Sequence, residues 1–147
     1  MKAHTILTLI GVSFCSLCAA EASAQTCRIT SGVNANGHLT YKEVYEFDFV
    51  EDKPQFPGGG TALLSYINEN RRYPAEAYAR GVEGRVTCSF VINTDGRVSD
   101  ITVLRGVEQT LNKEAMRILS RMPAWSPGKI DGQPVPVRVI CAVPFRK

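Results

Sequence analysis

A strand, a turn and a returning strand in residues 85–104 constrain the fold more than any other part of the sequence. Residues 85–92 alternate at the period of a β-strand. Their apolar face consists of Val86, Cys88, Phe90 and Ile92. Asn93-Thr94-Asp95-Gly96 is typical of a tight hairpin turn, and residues 97–104 then form the return strand. Because an isolated hairpin is barely stable in water, other elements must cover its apolar face.

Helices are predicted before and after this hairpin in the sequence. Residues 110–122 form an amphipathic helix that Pro123 stops, since apolar side chains recur there at helical spacing. These side chains are Leu111, Ala115, Ile118, Leu119 and Met122. Two shorter helices are expected before the hairpin. The first has Thr61 as its N-cap, and the second starts at Pro74 and ends at Gly81. The apolar face of the first is Leu63, Leu64 and Ile67.

A final strand is indicated by alternating valines in residues 135–143, and Pro144 is expected to end it. The predicted order is therefore helix, short helix, strand, strand, helix, strand. Helices segregated to one side of a small antiparallel sheet give an α+β fold. The sequence thus predicts a two-layer sandwich, with a three-stranded antiparallel sheet and helices packed on one face.

Residues 1–24 have the features of a secretory signal peptide. Lys2 gives a positive start, residues 6–18 are mostly apolar, and Ala22-Ser23-Ala24 is a small-residue cleavage pattern. The alternative is an uncleaved inner-membrane anchor, but the apolar run is short against the about 20 residues that a membrane span needs. We therefore expect export and cleavage after Ala24.

Residues 25–55 are predicted to be an extension ahead of the main domain. Asn34-Ala35-Asn36-Gly37 marks a turn, and residues 41–50 then alternate at strand period, with a mainly aromatic face and a largely charged one. Pro57 and the glycines that follow it mark the boundary with a domain over residues 56–147.

The composition argues against several classes of function. The formal net charge of +3 is too small to indicate nucleic-acid binding, although residues 71–147 hold 13 basic and 7 acidic side chains. After cleavage His38 is the one histidine, so a nucleophile would lack a nearby base. No phosphate-binding, nucleotide-binding or zinc motif is present. We expect no catalytic residue, cofactor, metal or small-molecule substrate. A thiol enzyme, revealed by one cysteine of low pKa, is the alternative.

Cleavage leaves three cysteines, Cys27, Cys88 and Cys141, which allow one disulfide in three ways. Cys88 and Cys141 lie on the apolar faces of the first and last predicted strands of the sheet. If those strands are antiparallel neighbours in register, these two cysteines could form the disulfide and leave Cys27 free. An exported protein can keep such a bond.

The stretch from Phe56 to Phe145 resembles the C-terminal domain of TonB proteins, in the version common in Bacteroidetes. The resemblance rests on short motifs that occur in one order and spacing. They are Phe56-Pro57-Gly58-Gly59, Tyr73-Pro74, Gly81 with Gly84, Asp95-Gly96, the run from Met122 to Gly128 around Trp125, and the last strand. Trp125 is expected to be a core anchor. The family implies the same α+β fold.

The resemblance implies a non-enzymatic binding module in the periplasm. In the family, the last strand is an exposed sheet edge that pairs with a short extended segment of an outer-membrane receptor, which is strand addition. The partner-binding residues that this implies are Tyr73, Pro74, Val137, Arg138, Val139 and Ile140. Its partners would be outer-membrane TonB-dependent receptors or other envelope proteins, in support of energy-coupled transmembrane transport. An envelope adaptor or structural module without a transport role is the alternative.

The region before the domain differs from a complete TonB protein. Full-length members carry a membrane anchor and a long proline-rich linker, whereas Pro54 is the one proline in residues 25–55. We therefore expect a stand-alone exported domain. The alternating segment 41–50 could cover the free edge of its own sheet as an internal plug, or contact a second copy in a homodimer.

Overall fold

A computed structural model of the protein describes residues 27–33, 35–37 and 39–147, so the predicted signal peptide and His38 lie outside the described residues. The strands are β1 (Cys27–Val33), β2 (Leu39–Glu46), β3 (Gly84–Ile92), β4 (Val98–Arg105), β5 (Gly128–Ile130), β6 (Gln133–Val135) and β7 (Val137–Phe145). The helices are α1 (Gly59–Asn70), α2 (Ala75–Ala79) and α3 (Gln109–Ser120), and a 3₁₀ turn spans Phe47–Phe49.

The main sheet has the strand order β1-β2-β7-β3-β4. Its centre is the predicted three-stranded antiparallel sheet, in which β3 pairs with β4 on one side and with β7 on the other. The antiparallel pair β1 and β2 adds two strands to this sheet. Strand β2 comes from segment 41–50, which the sequence offers as a cover for the free edge of its own sheet, whereas β1 is not predicted from the sequence. A separate small hairpin pairs β5 with β6. The α+β prediction is confirmed, with a larger sheet than expected.

The three helices bury their apolar residues against one face of β3 and β7. On that face Val86 lies opposite Val143, and Phe90 lies opposite Val139. The helices contribute Ile67, Ala77, Leu111, Ala115, Ile118 and Leu119 to the core, all of them buried. The alternation of β3 and the helical spacing of α3 therefore meet in one apolar layer, as the sequence predicts.

Trp125 is the predicted core anchor and closes the end of this layer. Its ring lies edge-on to Phe56 and Phe90, with centroid distances of 5.5 and 5.7 Å. Its backbone N–H donates to the carbonyl of Gly96 at 2.8 Å, in the turn between β3 and β4. The loop after α3 is thereby fixed to the hairpin around which the domain is built.

Two predicted boundaries are wrong near the start of the domain. Helix α1 begins at Gly59 with Gly58 as its N-cap, so Thr61 lies within the first turn. Gly58 and Gly59 adopt φ angles of 86° and 81°, which let the chain enter the helix directly. The strand predicted over residues 41–50 ends at Glu46, where the 3₁₀ turn begins.

The predicted last strand is divided at Pro136 into β6 and β7. Asp131 and Gly132 adopt φ angles of 51° and 73° and form the turn between β5 and β6. None of the helices in the described part of the chain is both long and apolar enough to span a membrane.

Candidate docking edge on the last strand

Strand β7 is a sheet edge over only part of its length. On one side it pairs with β3 along all of its residues, 137–145. On the other side β2 runs parallel to it and pairs only at Val137 and Arg138. The expected free edge is therefore wrong for these two residues, because the chain's own β2 covers them. Within the described chain, residues 139–145 have a strand neighbour on one side only, and we call this stretch the open edge.

Two hydrogen bonds, one to Pro136 just before β7 and one to Pro144 within it, show which backbone groups of the strand face away from β3. The N–H of Tyr45 donates to the carbonyl of Pro136 at 2.9 Å, and Nη1 of Arg71 donates to the carbonyl of Pro144. Successive residues of a strand point their backbone groups to opposite sides. Ile140 and Ala142 therefore present both N–H and C=O to the open edge, and we call these two residues the pairing window.

The sequence predicts that Pro144 ends the last strand, but this prediction is wrong, and the orientation of the backbone groups explains why. Pro144 lies opposite Arg85, and pairing with β3 continues to Phe145. The missing N–H of Pro144 would point to the open edge, so no hydrogen bond to β3 is lost. Proline is tolerated in a sheet at such positions.

The two faces of the open edge differ in character. Val139 and Val143 are buried beneath the helices, whereas the Ile140 side chain is 61% exposed on the opposite face. Ala142 is also exposed on that opposite face. A strand added here would therefore cover the exposed Ile140 side chain.

A groove of about 620 Å³ runs between α1 and the open edge. Helix α1 contributes Leu64, which the sequence placed in the core but which is 58% exposed. The full lining is Leu64, Asn68, Arg71, Arg85, Ala142, Pro144, Arg146 and Lys147. Four of these side chains are cationic and none is a carboxylate. Local patterns could not reveal this groove, because its residues are distant in sequence.

A second groove, of about 260 Å³, lies at the other end of the open edge, where the 3₁₀ turn meets β7. Its lining is Glu46, Phe47, Asp48, Arg138, Val139 and Ile140. The sign of charge along β7 therefore changes from mixed beside β2 to positive beside Arg71.

Tyr73 and Pro74 lie away from the other predicted partner-binding residues. The Tyr73 hydroxyl donates to the carbonyl of Val82, and its ring lies edge-on to Phe145 at 5.8 Å. Burial raises the pKa of Tyr73, and the charge of nearby Glu83 adds to the effect. Since Ile140 is five residues from Phe145, roughly 17 Å of strand separates Ile140 from the end of β7 where Tyr73 packs. In the structure Tyr73 anchors the end of β7.

Cys88 and Cys141 lie directly opposite each other in the register of β3 and β7, as a disulfide requires, but both are free thiols in the structure. Burial raises the pKa of both, to about 11 for Cys141, where the charge of Cys88 adds to the effect. A nucleophilic cysteine needs a lowered pKa, so these two do not support the thiol-enzyme alternative. Among the described residues, no three His, Cys, Asp or Glu side chains are grouped to hold a metal ion.

Comparisons with known proteins all point to one family. Residues 69–146 match the family described as Gram-negative bacterial TonB protein C-terminal. Protein TonB of Helicobacter pylori strain J99 is 43% identical over 58 residues, which are 39% of this chain and 21% of that protein. Protein TonB of Pseudomonas aeruginosa PAO1 is 42% identical over 62 residues, or 40% of this chain and 18% of that protein. The chain spans about a fifth of the length of these relatives.

Solved structures of the same domain are also similar to this chain. A solution structure of the Helicobacter pylori TonB C-terminal domain has a TM-score of 0.42 and 30% identity, covering 56% of this chain and 88% of that one. The Pseudomonas aeruginosa TonB C-terminal domain has a TM-score of 0.38 and 28% identity, covering 52% and 80%.

Proposed function

Because the chain belongs to the TonB C-terminal domain family, we propose that it is a periplasmic, non-enzymatic binding module in energy-coupled transport across the outer membrane. Residues 1–24 direct export and are removed, residues 25–55 form an extension, and residues 56–147 form the binding domain. Its partners are outer-membrane TonB-dependent receptors, which it engages by strand addition on the open edge.

The observation that carries this proposal is the pairing window. Ile140 and Ala142 direct backbone donors and acceptors away from β3, and no described strand pairs with them. Each hydrogen bond to an added strand contributes about 0.5–1.5 kcal/mol net. Covering an exposed apolar side chain such as Ile140 contributes about 1.5–3 kcal/mol more. These contributions support a reversible contact with a short segment.

In this proposal backbone pairing and side-chain contacts make different contributions to recognition. The window provides affinity for any extended chain, while alternate side chains of that chain contact the two faces of β7. On one face they meet Leu64 of α1, and on the other they lie beside Ile140. The open edge thus supports selection by size and polarity at two positions.

Receptor capture with a backbone-specific variant tests the proposal. Tagged exported protein would be mixed with detergent-solubilised envelopes, and the bound proteins identified by mass spectrometry. Ala142→Pro removes one N–H from the open edge without touching the hydrogen bonds to β3. Ala142→Ser keeps that N–H and is the matched control. Prolines at Val137 or Val139 would be poor probes, since those residues point their backbone groups towards β3.

We expect the wild-type protein and Ala142→Ser to capture plugged-barrel receptors, and Ala142→Pro to lose them at an unchanged melting temperature. Receptors captured equally well by Ala142→Pro would exclude strand addition at this window. Capture of soluble or inner-envelope proteins alone would instead favour the envelope adaptor.

A further inference from the structure

The outer face of the main sheet, which points away from the helices, is basic at the end where β3 begins. Arg85 lies opposite Pro144, and Thr87 lies opposite Ala142 on one side and Arg105 on the other. Paired residues share a face, as do residues two apart in a strand, so both arginines lie on the outer face. A groove of about 460 Å³ follows them, lined by Gly84, Arg85, Thr87, Arg105, Gly106 and Val107. It adjoins the groove beside the open edge, because Arg85 lines both.

Together the two grooves carry five cationic side chains, which we call the basic band. They are Arg71, Arg85, Arg105, Arg146 and Lys147. Among the described residues, no carboxylate lines either groove, and none of the five cations takes part in an ion pair. Glu83 accepts a bond of 2.8 Å from the Lys147 backbone N–H but does not line the grooves. The charge of the band is therefore available to an external anion.

Exposed apolar side chains border the basic band. Leu64 and Val107 line the two grooves and are 58% and 40% exposed. Tyr78 is also exposed, and its ring centroid lies 4.6 Å from the Lys147 ammonium. Cations interspersed with exposed aliphatic and aromatic side chains are typical of a surface that rests on a membrane. Their charged ends bind lipid phosphates while the apolar side chains enter the headgroup region.

The width of the basic band favours a surface over a single extended chain as its ligand. Arg105 is on β4, which lies two strands away from β7. Neighbouring strands are about 4.8 Å apart, so about 10 Å of sheet separates Arg105 from the open edge. A segment added to that edge would lie beside Arg71 and leave Arg105 without an anion. An array of lipid headgroups can place a phosphate near every cation of the band.

We propose that the basic band docks on an anionic phospholipid surface, with the outer face of the sheet turned towards the headgroups. This inference goes beyond the proposed function, because lipid docking does not require strand addition. The two are compatible, since the backbone groups of the open edge point along the plane of the sheet and not towards the lipid. Docking would hold the open edge close to the membrane.

Co-sedimentation with lipid vesicles tests the proposal. The exported protein is mixed with vesicles of pure phosphatidylcholine, or of phosphatidylcholine and the anionic phosphatidylglycerol in equal parts. The bound fraction is measured at low and high salt and gives a partition coefficient. Polyglutamate, a soluble acidic polymer, is titrated in parallel to represent an acidic protein partner.

We expect binding to the anionic vesicles alone, weakening as salt rises. Each cation near an anionic surface strengthens binding about 5-fold, so Arg85→Gln combined with Arg105→Gln should lower the partition coefficient about 25-fold. The matched control combines Arg97→Gln with Arg121→Gln. It removes the same charge from exposed residues outside both grooves and should lower the coefficient by less than about 3-fold.

A second variant combines Arg146→Gln with Lys147→Gln. Both residues are exposed and follow the last strand, so this variant tests the band even if replacing Arg85 and Arg105 unfolds the protein. It should also lower the partition coefficient about 25-fold.

Three results would overturn lipid docking by the band. Equal losses in the band variants and the control would show that the vesicles respond to net charge alone. Equal binding to neutral and anionic vesicles would exclude recognition of the phosphates. Binding of polyglutamate that depends on Arg85 and Arg105, without binding of vesicles, would assign the band to an acidic protein. Ala142→Pro should keep full vesicle binding, so failure of strand addition and failure of lipid docking are separate results.

Discussion

Gly96 and Trp125 approach so closely that a β-carbon at residue 96 would lie 2.0 Å from the Trp125 carbonyl oxygen. Gly96 also has a φ of 83°, a conformation that other residues adopt only with strain. Two separate features therefore favour glycine at this position. One is the positive φ of the turn, and the other is the close approach of the loop that carries Trp125.

Gly96→Ala should lower the free energy of unfolding by about 3 kcal/mol or more, from left-handed strain plus the steric clash. Gly132→Ala is the matched control, because its φ is 73° but nothing lies within 4 Å of the added carbon. It should cost about 1 kcal/mol, from conformational strain alone. Urea unfolding followed by the fluorescence of Trp125, the one tryptophan, measures both. Equal losses would show that the contact between residue 96 and Trp125 relaxes freely.

Replacing Tyr45 by proline should strengthen binding of a peptide to the open edge. The change removes the N–H that donates to Pro136, and so releases β2 from the start of β7. Each backbone group that is freed adds about 0.5–1.5 kcal/mol to pairing, or about 2–13-fold in affinity. Tyr45→Phe keeps the N–H and should bind as the wild type does. Unchanged binding in both variants, measured by titration calorimetry, would argue against β2 as an internal plug.

The stability of the reduced protein should fall between pH 9 and 11. Burial raises the pKa of Cys141 from 9.0 to about 11, so the unfolded chain loses this proton at lower pH than the folded one. The contribution of the protonated Cys141 thiol to the free energy of unfolding is complete below pH 9. It falls by about 2 kcal/mol as the pH rises to 11. Denaturant titrations at several pH values measure this loss. Cys141→Ser should flatten this part of the profile, and an equally steep decline in that variant would assign it to other groups.

Cys88 and Cys141 should form a disulfide when the exported protein is oxidised. Opposite Cα atoms in an antiparallel pair are about 4.5–5.5 Å apart, which a disulfide can span. Closing the loop between them would stabilise the fold by about 4 kcal/mol in the chain-entropy account. Peptide mapping without reduction should find this bond and leave Cys27 as a thiol. A bond from Cys27 to either partner would contradict the prediction.

Much of the domain could be predicted because its signals are local. The turn at residues 93–96 and the helical spacing of α3 each specify an element within about a dozen residues, and the structure confirms both. Strand β1 gave no such signal, since residues 27–33 lack a clear apolar alternation. Leu64 was misplaced because its neighbours Leu63 and Ile67 supply the core face of α1.

The docking edge was predicted only in outline, because its details depend on contacts that are distant in sequence. The bond from Arg71 to Pro144 joins residues that are 73 apart. The pairing of β2 with Val137 depends on where the extension folds back, which no local pattern indicates. The sequence could identify β7 as the relevant strand. Which of its residues have an unpaired edge could be told only from the topology of the sheet.

The prolines at 136 and 144 also bear on how this protein behaves when many copies are present. An unprotected strand edge can template an identical chain, and repetition of that step builds a fibre. Both prolines lack the N–H that would point outward on either side of the window, so a long in-register copy of β7 meets a gap at each end. The backbone groups between the two prolines can still pair with one short segment of a partner. The two prolines thus limit self-propagation while the window between them stays accessible to a partner.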